Sequence, residues 1–205
     1  MKISIIDLDV SNLYSLTNSL KKLNFNFSVD NSKKKIDDSD CIILPGVGSF
    51  FHGSNKLRQY KLDKIILDNY KKGKPIIGIC LGFQLLFEKG NEFKKTNGLG
   101  ILKGHVKELP KKIKFPIPHV GWNKVNVSKI FLNKFINNDY YYFVHSFYVD
   151  LNKKYKFYGI TDYGKFKFCS AIFEDNVFGF QFHPEKSGNS GLTLLNKTLN
   201  YAKKI

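Results

Sequence analysis

A cysteine with a glycine two residues to either side is the first arrangement in this chain that could do chemistry. Pro75-Ile-Ile-Gly78-Ile-Cys80-Leu81-Gly82-Phe-Gln-Leu-Leu86 runs as an apolar strand through Cys80 straight into a helical pattern. The spacing is that of a nucleophile elbow, where the reactive residue sits on a strained turn and small neighbours let strand and helix approach closely. A helix N-terminus at Cys80 favours thiolate through its unpaired N–H groups and macrodipole. The N–H of Leu81 would then be half of an oxyanion hole. Cys41 and Cys169 have no flanking glycine pair and read as core cysteines.

A cysteine nucleophile needs a base. Of the five histidines, His52, His105, His119, His145 and His183, only His183 has a carboxylate at catalytic spacing, in Phe180-Gln-Phe-His183-Pro-Glu185. Pro184 biases His183 toward extended backbone. In an extended segment His183 and Glu185 point the same way, so the carboxylate can orient the imidazole while its other nitrogen faces the thiol. A third motif, Leu44-Pro-Gly46-Val47-Gly48-Ser-Phe50, is a glycine-rich loop directly after an apolar strand. Its backbone N–H groups can turn toward a phosphate or an oxyanion. Each motif alone also reads as ordinary structure: a buried cysteine, a surface turn, a loop. The loop, however, follows the third strand and falls near Cys80 in a doubly wound sheet, so the two signals strengthen each other.

The elements that must position these residues are legible from periodicity. Lys2 to Ile6 reads as a strand, and leucines at 13, 16, 20 and 23 give helical spacing from Asn12 to Lys22. Phe25–Val29 and Cys41–Leu44 are short β-favourable runs. A second helix carries Leu62, Ile65, Ile66 and Tyr70 on one stripe, with Gly73 placed to end it. Pro75–Ile79 is then a strand buried on both faces. This β-α-β-β-α-β order predicts a flavodoxin-like, doubly wound α/β fold with a mainly parallel sheet and helices on both faces. Function then sits at the carboxyl ends of the strands. From Lys103 the pattern changes to added strands at Lys103–Leu109, Tyr141–Val149, Lys156–Asp162, Lys167–Phe173 and Val177–Phe182, with hairpin turns near Asp162–Lys165 and Asp175–Asn176. Leu192, Leu195 and Leu199 mark a closing helix.

With 205 residues, one domain over 1–205 is expected. No window approaches the roughly 18 apolar residues that span a bilayer, and the first ten residues carry two aspartates where a signal peptide is apolar. A soluble, cytoplasmic protein with no membrane partner follows. Three widely spaced cysteines indicate neither a disulfide framework nor a metal site. The net charge of +16 raises the question of nucleic acid, but all but one of the 33 basic residues are lysines, Arg58 being the exception. The planar fork that reads guanine is an arginine property, so no nucleic-acid partner is expected.

The three motifs together resemble class I glutamine amidotransferases. Pro118-His-Val-Gly-Trp122-Asn123, Tyr142-Phe-Val-His145-Ser146 and Gly179-Phe-Gln-Phe-His-Pro-Glu-Lys186-Ser narrow the resemblance to the glutaminase subunits of imidazole glycerol phosphate synthase, over essentially the whole chain. That resemblance implies glutamine hydrolysis at a Cys80-His183-Glu185 triad without metal or cofactor. It also implies ammonia passed to a partner, a (β/α)₈ barrel synthase subunit, in histidine biosynthesis. By the same resemblance Gly46 and Val47 join Leu81 in the oxyanion hole, completed only when the partner carries its ligand. Gly46, Gly48, Gln84, Glu92 and Ser146 hold the substrate glutamine, and Trp122, Asn123 and Lys186 lie toward the barrel.

Three positions depart from the pattern. Asp7 is followed by Leu-Asp-Val-Ser-Asn12 where the family has Tyr-Gly-x-Gly-Asn; Phe83 stands for the usual methionine, and Phe147 for the common tyrosine. None removes a catalytic group. The first motivates an alternative, a paralogous glutaminase feeding another amidation enzyme, such as one acting on a surface sugar. A stand-alone cysteine hydrolase on the same fold is a further alternative that needs no partner. A non-enzymatic binding module is the last, and the triad argues against it.

Overall fold

Four-residue runs of β-branched and aliphatic side chains, too short and too apolar for surface helices, become the central strands of this chain. The computed structural model describes residues 1–9, 13–127, 134–136, 139–151, 153 and 155–205. Its first half runs β1 (Lys2–Ile5), α1 (Leu13–Lys22), β2 (Asn26–Val29), α2 (Lys33–Asp37), β3 (Cys41–Leu44), α3 (Phe50–Gln59), α4 (Leu62–Lys71), β4 (Ile76–Ile79) and α5 (Leu81–Leu85). The second half holds β5 (Phe87–Gly90), β6 (Thr96–Asn97), β7 (Leu102–Glu108), β8 (His119–Lys124), β9 (Asn126–Val127), β10 (Tyr140–His145), β11 (Phe147–Asp150), β12 (Phe157–Tyr163), β13 (Phe166–Glu174) and β14 (Val177–Phe180). A helix over Gly188–Ala202 closes the chain. Asn12, read as the first residue of α1, lies outside the described residues.

Strands β2, β1, β3, β4 and β14 lie side by side and parallel. Antiparallel β13, β11 and β7 extend the sheet beyond β14. The period-2 alternation of a strand assigns the two faces. Ile3, Ile5, Ile43, Ile77 and Ile79 pack with Leu16 and Leu20 of α1 and with Leu194 and Leu199 of the C-terminal helix. Ile42, Leu44 and Ile76 pack instead with Ile36, Leu57, Leu62, Ile66 and Leu85 from α2, α3, α4 and α5. Helices therefore cover both faces, and each fully buried aliphatic side chain contributes roughly 1.5–3 kcal/mol.

Four expectations need correction. The first-half order is β-α-β-α-β-α-α-β, because α2 and α3 carry too few apolar residues to show a stripe: α2 buries only Ile36, and the buried face of α3 includes Gly53 and Ser54 beside Phe50 and Leu57. The run Tyr141–Val149 is two strands, not one, since the chain leaves β10 at His145 and enters β11 at Phe147, crossing from a two-stranded ribbon with β8 to the main sheet. The helix after Cys80 has only five residues, so its macrodipole is small. Finally, His183 is extended at φ −104°, ψ 95°, but Glu185 lies within a short 3₁₀ turn over Pro184–Lys186. No helix among the described residues is long and apolar enough to cross a membrane.

Candidate active site

Cys80 stands at the carboxyl end of β4, where the chain must turn from strand to helix within one residue. It does so at φ 52° and ψ −108°, a conformation that costs a non-glycine residue of order 1–3 kcal/mol. The glycines explain how the turn closes. A methyl group at Gly82 would lie 1.7 Å from the carbonyl oxygen of Leu44, and one at Gly78 would lie 2.8 Å from the Cα of Phe83. Only hydrogen fits in either place, so β3, β4 and α5 meet at backbone contact. Cys41 and Cys169 contrast with this: both are buried within strands, and burial pushes each thiol up to about 12.

Beside β4 in the sheet, β14 pairs Phe180 with Ile79, and the Cys80 N–H donates to the Phe180 carbonyl at 2.7 Å. The chain continues through Gln181 and Phe182 to His183, whose side chain is 2% exposed. Its Nδ1 lies 2.8 Å from Glu185 Oε1 despite the 3₁₀ turn. The Nε2 atom is buried and makes no hydrogen bond among the described residues. Burial alone would push the imidazole down, but the negative charges of Cys80 and Glu185 outweigh it and hold His183 up to about 10. Strand β10 touches both partners. The Tyr142 carbonyl accepts the His183 N–H at 2.9 Å, and the Val144 carbonyl lies 3.9 Å from Cys80 Sγ.

A cleft of about 500 Å³ opens over Cys80, lined by Val47, Gly48, Leu81, Gln84, Glu92 and Ser146 among others, with Lys186 at its wall. Leu81 donates its N–H to the Gly46 carbonyl at 3.3 Å, so this donor is engaged by the loop. Gly46 rests on the Leu81 side chain, while Gly48 turns at φ +100° into Ser49, the N-cap of α3. Gln84 is buried, and its Nε2 lies 2.9 Å from the Phe147 carbonyl and 3.0 Å from Gln181 Oε1. Glu92 is half-buried, accepts the Phe50 N–H at 2.6 Å, and has its carboxyl pushed up by burial. Trp122 is 52% exposed on β8, whereas Asn123 turns inward to His119 Nε2 at 2.8 Å.

Sequence reasoning assigned no role to three buried groups here. His119 and His145 form a pair, Nδ1 to Nε2 at 3.0 Å, with His145 Nδ1 on the Phe147 carbonyl at 2.8 Å. Burial, reinforced by the neighbouring histidines, pushes His145 down to about 3, so it is neutral and its Nδ1–H is the donor. Gln181 is fully buried between Phe180 and Phe182, and a polar residue in so apolar a strand is the one signal that marks it in advance.

The departures from the family pattern also find places. Asp9 stands where the pattern has glycine and adopts φ 58°, a left-handed conformation that Asp tolerates better than most residues. Its N–H bonds Asp7 Oδ1 at 2.9 Å, and its carboxylate takes Lys56 at 3.0 Å and the Tyr60 hydroxyl. Val10 and Ser11 lie outside the described residues. The ring of Phe83 packs where any side chain at Gly179 would stand, 2.1 Å from an added methyl. Phe147 contributes its carbonyl, which any residue supplies.

The chain matches the family model described as glutamine amidotransferase class-I over residues 4–200. It is 46% identical over 195 residues to imidazole glycerol phosphate synthase subunit HisH of Caldanaerobacter subterraneus subsp. tengcongensis, covering 94% of this chain and 95% of that one. Identity to the subunit of the same name from Listeria monocytogenes is 38% over 194 residues, with 94% and 92% covered. Among solved structures, PurLQS from Thermotoga maritima superposes with a TM-score of 0.70 at 22% identity over 98% of each chain. A glutamine amidotransferase from Thermotoga maritima gives 0.67 at 15% identity over 100% of this chain and 99% of that one. At these identities the two structures speak for the fold, while the family match and the relatives carry the assignment: this chain belongs to the class I glutamine amidotransferases and is a glutamine-hydrolysing enzyme.

Proposed function

We propose that the chain is the glutaminase subunit of an imidazole glycerol phosphate synthase, acting in the cytoplasm as one half of a heterodimer in histidine biosynthesis. The observation that carries this reading is the likeness to HisH subunits over 94% of the chain at 38–46% identity. The whole of 1–205 then acts as a single amidotransferase domain, and the partner is the synthase subunit, with the (β/α)₈ barrel of the family's pattern.

In this reading Cys80 is the nucleophile, and its strained turn holds Sγ at the floor of the cleft. Sγ attacks the carboxamide carbon of glutamine, and the developing oxyanion turns toward the N–H groups of Val47 and of Leu81, the latter once the loop releases it from the Gly46 carbonyl. His183, positively charged and oriented by Glu185, gives its proton to the departing nitrogen, which leaves as ammonia. The γ-glutamyl thioester is then attacked by water, which His183 deprotonates, releasing glutamate and restoring the thiolate. Gly46, Gly48, Gln84, Glu92 and Ser146 hold the glutamine, with the Glu92 carboxylate suited to its α-ammonium group. Trp122 and Lys186 belong to the face that meets the partner, and Asn123, its side chain turned inward to His119, supports that face from behind.

The test is glutamate release from glutamine by the purified chain, alone and with the barrel subunit and its ribonucleotide ligand, for wild type and Cys80→Ala. Strong release in the complex and none from Cys80→Ala is the expected result. Full activity of the alanine variant would overturn the nucleophile, and indifference to the barrel subunit would overturn the partner.

A further inference from the structure

The sulfur of Cys80 has neighbours besides the imidazole. The Val144 carbonyl lies 3.9 Å from it, and so does Nε2 of Gln181. Register explains the second contact: with Phe180 opposite Ile79 in parallel β14 and β4, the next residue of each chain is Gln181 and Cys80.

Which end of a buried amide faces a neighbour is settled by what that neighbour can do. The Phe147 carbonyl can only accept, so Gln84 must present its NH₂ group there, at 2.9 Å. The same nitrogen lies 3.0 Å from Gln181, which must therefore present its oxygen to Gln84. That leaves the NH₂ group of Gln181 facing sulfur. A main-chain carbonyl on β11 thus fixes, through two glutamine side chains, a hydrogen-bond donor aimed at Cys80.

We propose that Gln181 is a positioning residue for Cys80, held by Gln84 and Phe147 so that its amide donates to the sulfur. The inference rests on the reading of Cys80 as nucleophile. A thiolate gains more from such a donor than a thiol does, because a hydrogen bond to the charged form favours that form. The Val144 carbonyl acts in the opposite sense, accepting S–H. Gln181 therefore offsets a neighbour that would otherwise hold the proton on sulfur. Its N–H also steadies the sulfur when the thioester opens and thiolate departs.

The experiment is the pH dependence of Cys80 alkylation by iodoacetamide in the purified chain, followed by mass spectrometry. The variants are Gln181→Met, which keeps the side-chain length and removes the donor, and Gln84→Met, which removes the group that orients it. Gln181→Met is expected to alkylate about tenfold more slowly at pH 7 and to recover at higher pH, with KM for glutamine within about twofold of wild type and kcat reduced. Gln84→Met is expected to shift the profile in the same direction by less. A merely packing role would leave the profile in place. An unchanged profile in Gln181→Met, or in Gln84→Met should the former not fold, overturns the proposal. Loss of glutaminase in Cys80→Ala alongside that result leaves the nucleophile standing, whereas retained activity there removes the nucleophile itself.

Discussion

The N–H of Leu81 donates to the carbonyl of Gly46 across 3.3 Å, so the proposed oxyanion donor is engaged by the loop proposed to share the task. Loss of one such donor costs on the order of 10²–10³ in kcat. The isolated chain is therefore expected to release glutamate slowly, and the complex with its ligand to be faster by roughly 10² or more. Steady-state glutamate assays of the two compare them directly. Equal rates would mean that the hole is available at rest.

Gly82 is the tightest point of the fold around the site, since a methyl group added there would stand 1.7 Å from the Leu44 oxygen. The neighbour is backbone and cannot rotate away. Gly82→Ala is expected to lose about 3 kcal/mol or more, a fall in Tm on the order of 10 °C for a chain of this size. Thermal melts by circular dichroism give the answer, and a melt within about 2 °C of wild type would contradict the contact.

Glu185→Gln should separate orientation from binding. The carboxylate is expected to contribute on the order of 10⁴ in kcat with KM for glutamine little changed. It also carries a signature in stability. Cys80 first and Glu185 second hold His183 up to about 10, above its ordinary 6.5, so the share that Glu185 contributes to stability is full below 6.5 and is lost as pH rises through about 10. The Tm deficit of the variant should accordingly be largest near neutral pH and below, and close toward about pH 10. A deficit that grows with pH would reverse the sign and exclude this ion pair as its source.

Glu92 should show a trade between binding and stability. Burial pushes its carboxyl up, which means that the fold disfavours its charge at neutral pH. Glu92→Gln keeps an acceptor for the Phe50 N–H and removes the charge. It is expected to leave Tm unchanged or slightly higher while raising KM for glutamine about tenfold at nearly constant kcat. An unaltered KM would make Glu92 a helix-capping group only.

Much of the candidate site's geometry is legible because the residue types that mark it also shape its backbone. The glycines at 78 and 82 are spaced by the same contact that strains Cys80, and Pro184 sets the extended backbone at His183. Helix α3 was hidden because Gly53 and Ser54 occupy its buried face, where Gly53 lets it approach Leu85 and Leu81. The break between β10 and β11 was hidden because Ser146 interrupts a run of β-favourable residues without a glycine or proline to mark it. Gln181 is a polar residue among phenylalanines, but its side-chain partners are Gln84 on α5 and the sulfur of Cys80, about a hundred residues away in sequence. Asp9 shows the reverse case, a non-glycine residue in sequence that nonetheless adopts left-handed backbone at φ 58°.

The ribbon of β8 and β10 has a mechanical consequence. Trp122 stands exposed on one strand and contacts the ring of Tyr142 on the other, centroid to centroid at 6.0 Å. The carbonyl of that same Tyr142 holds the backbone of His183, and two residues on Val144 reaches the sulfur of Cys80. The two-stranded ribbon thus joins a large exposed aromatic side chain on one strand to the backbone of His183 and the sulfur of Cys80 beside the other. In the mechanism proposed above, any tilt of this ribbon would move the proposed acid and the proposed nucleophile together.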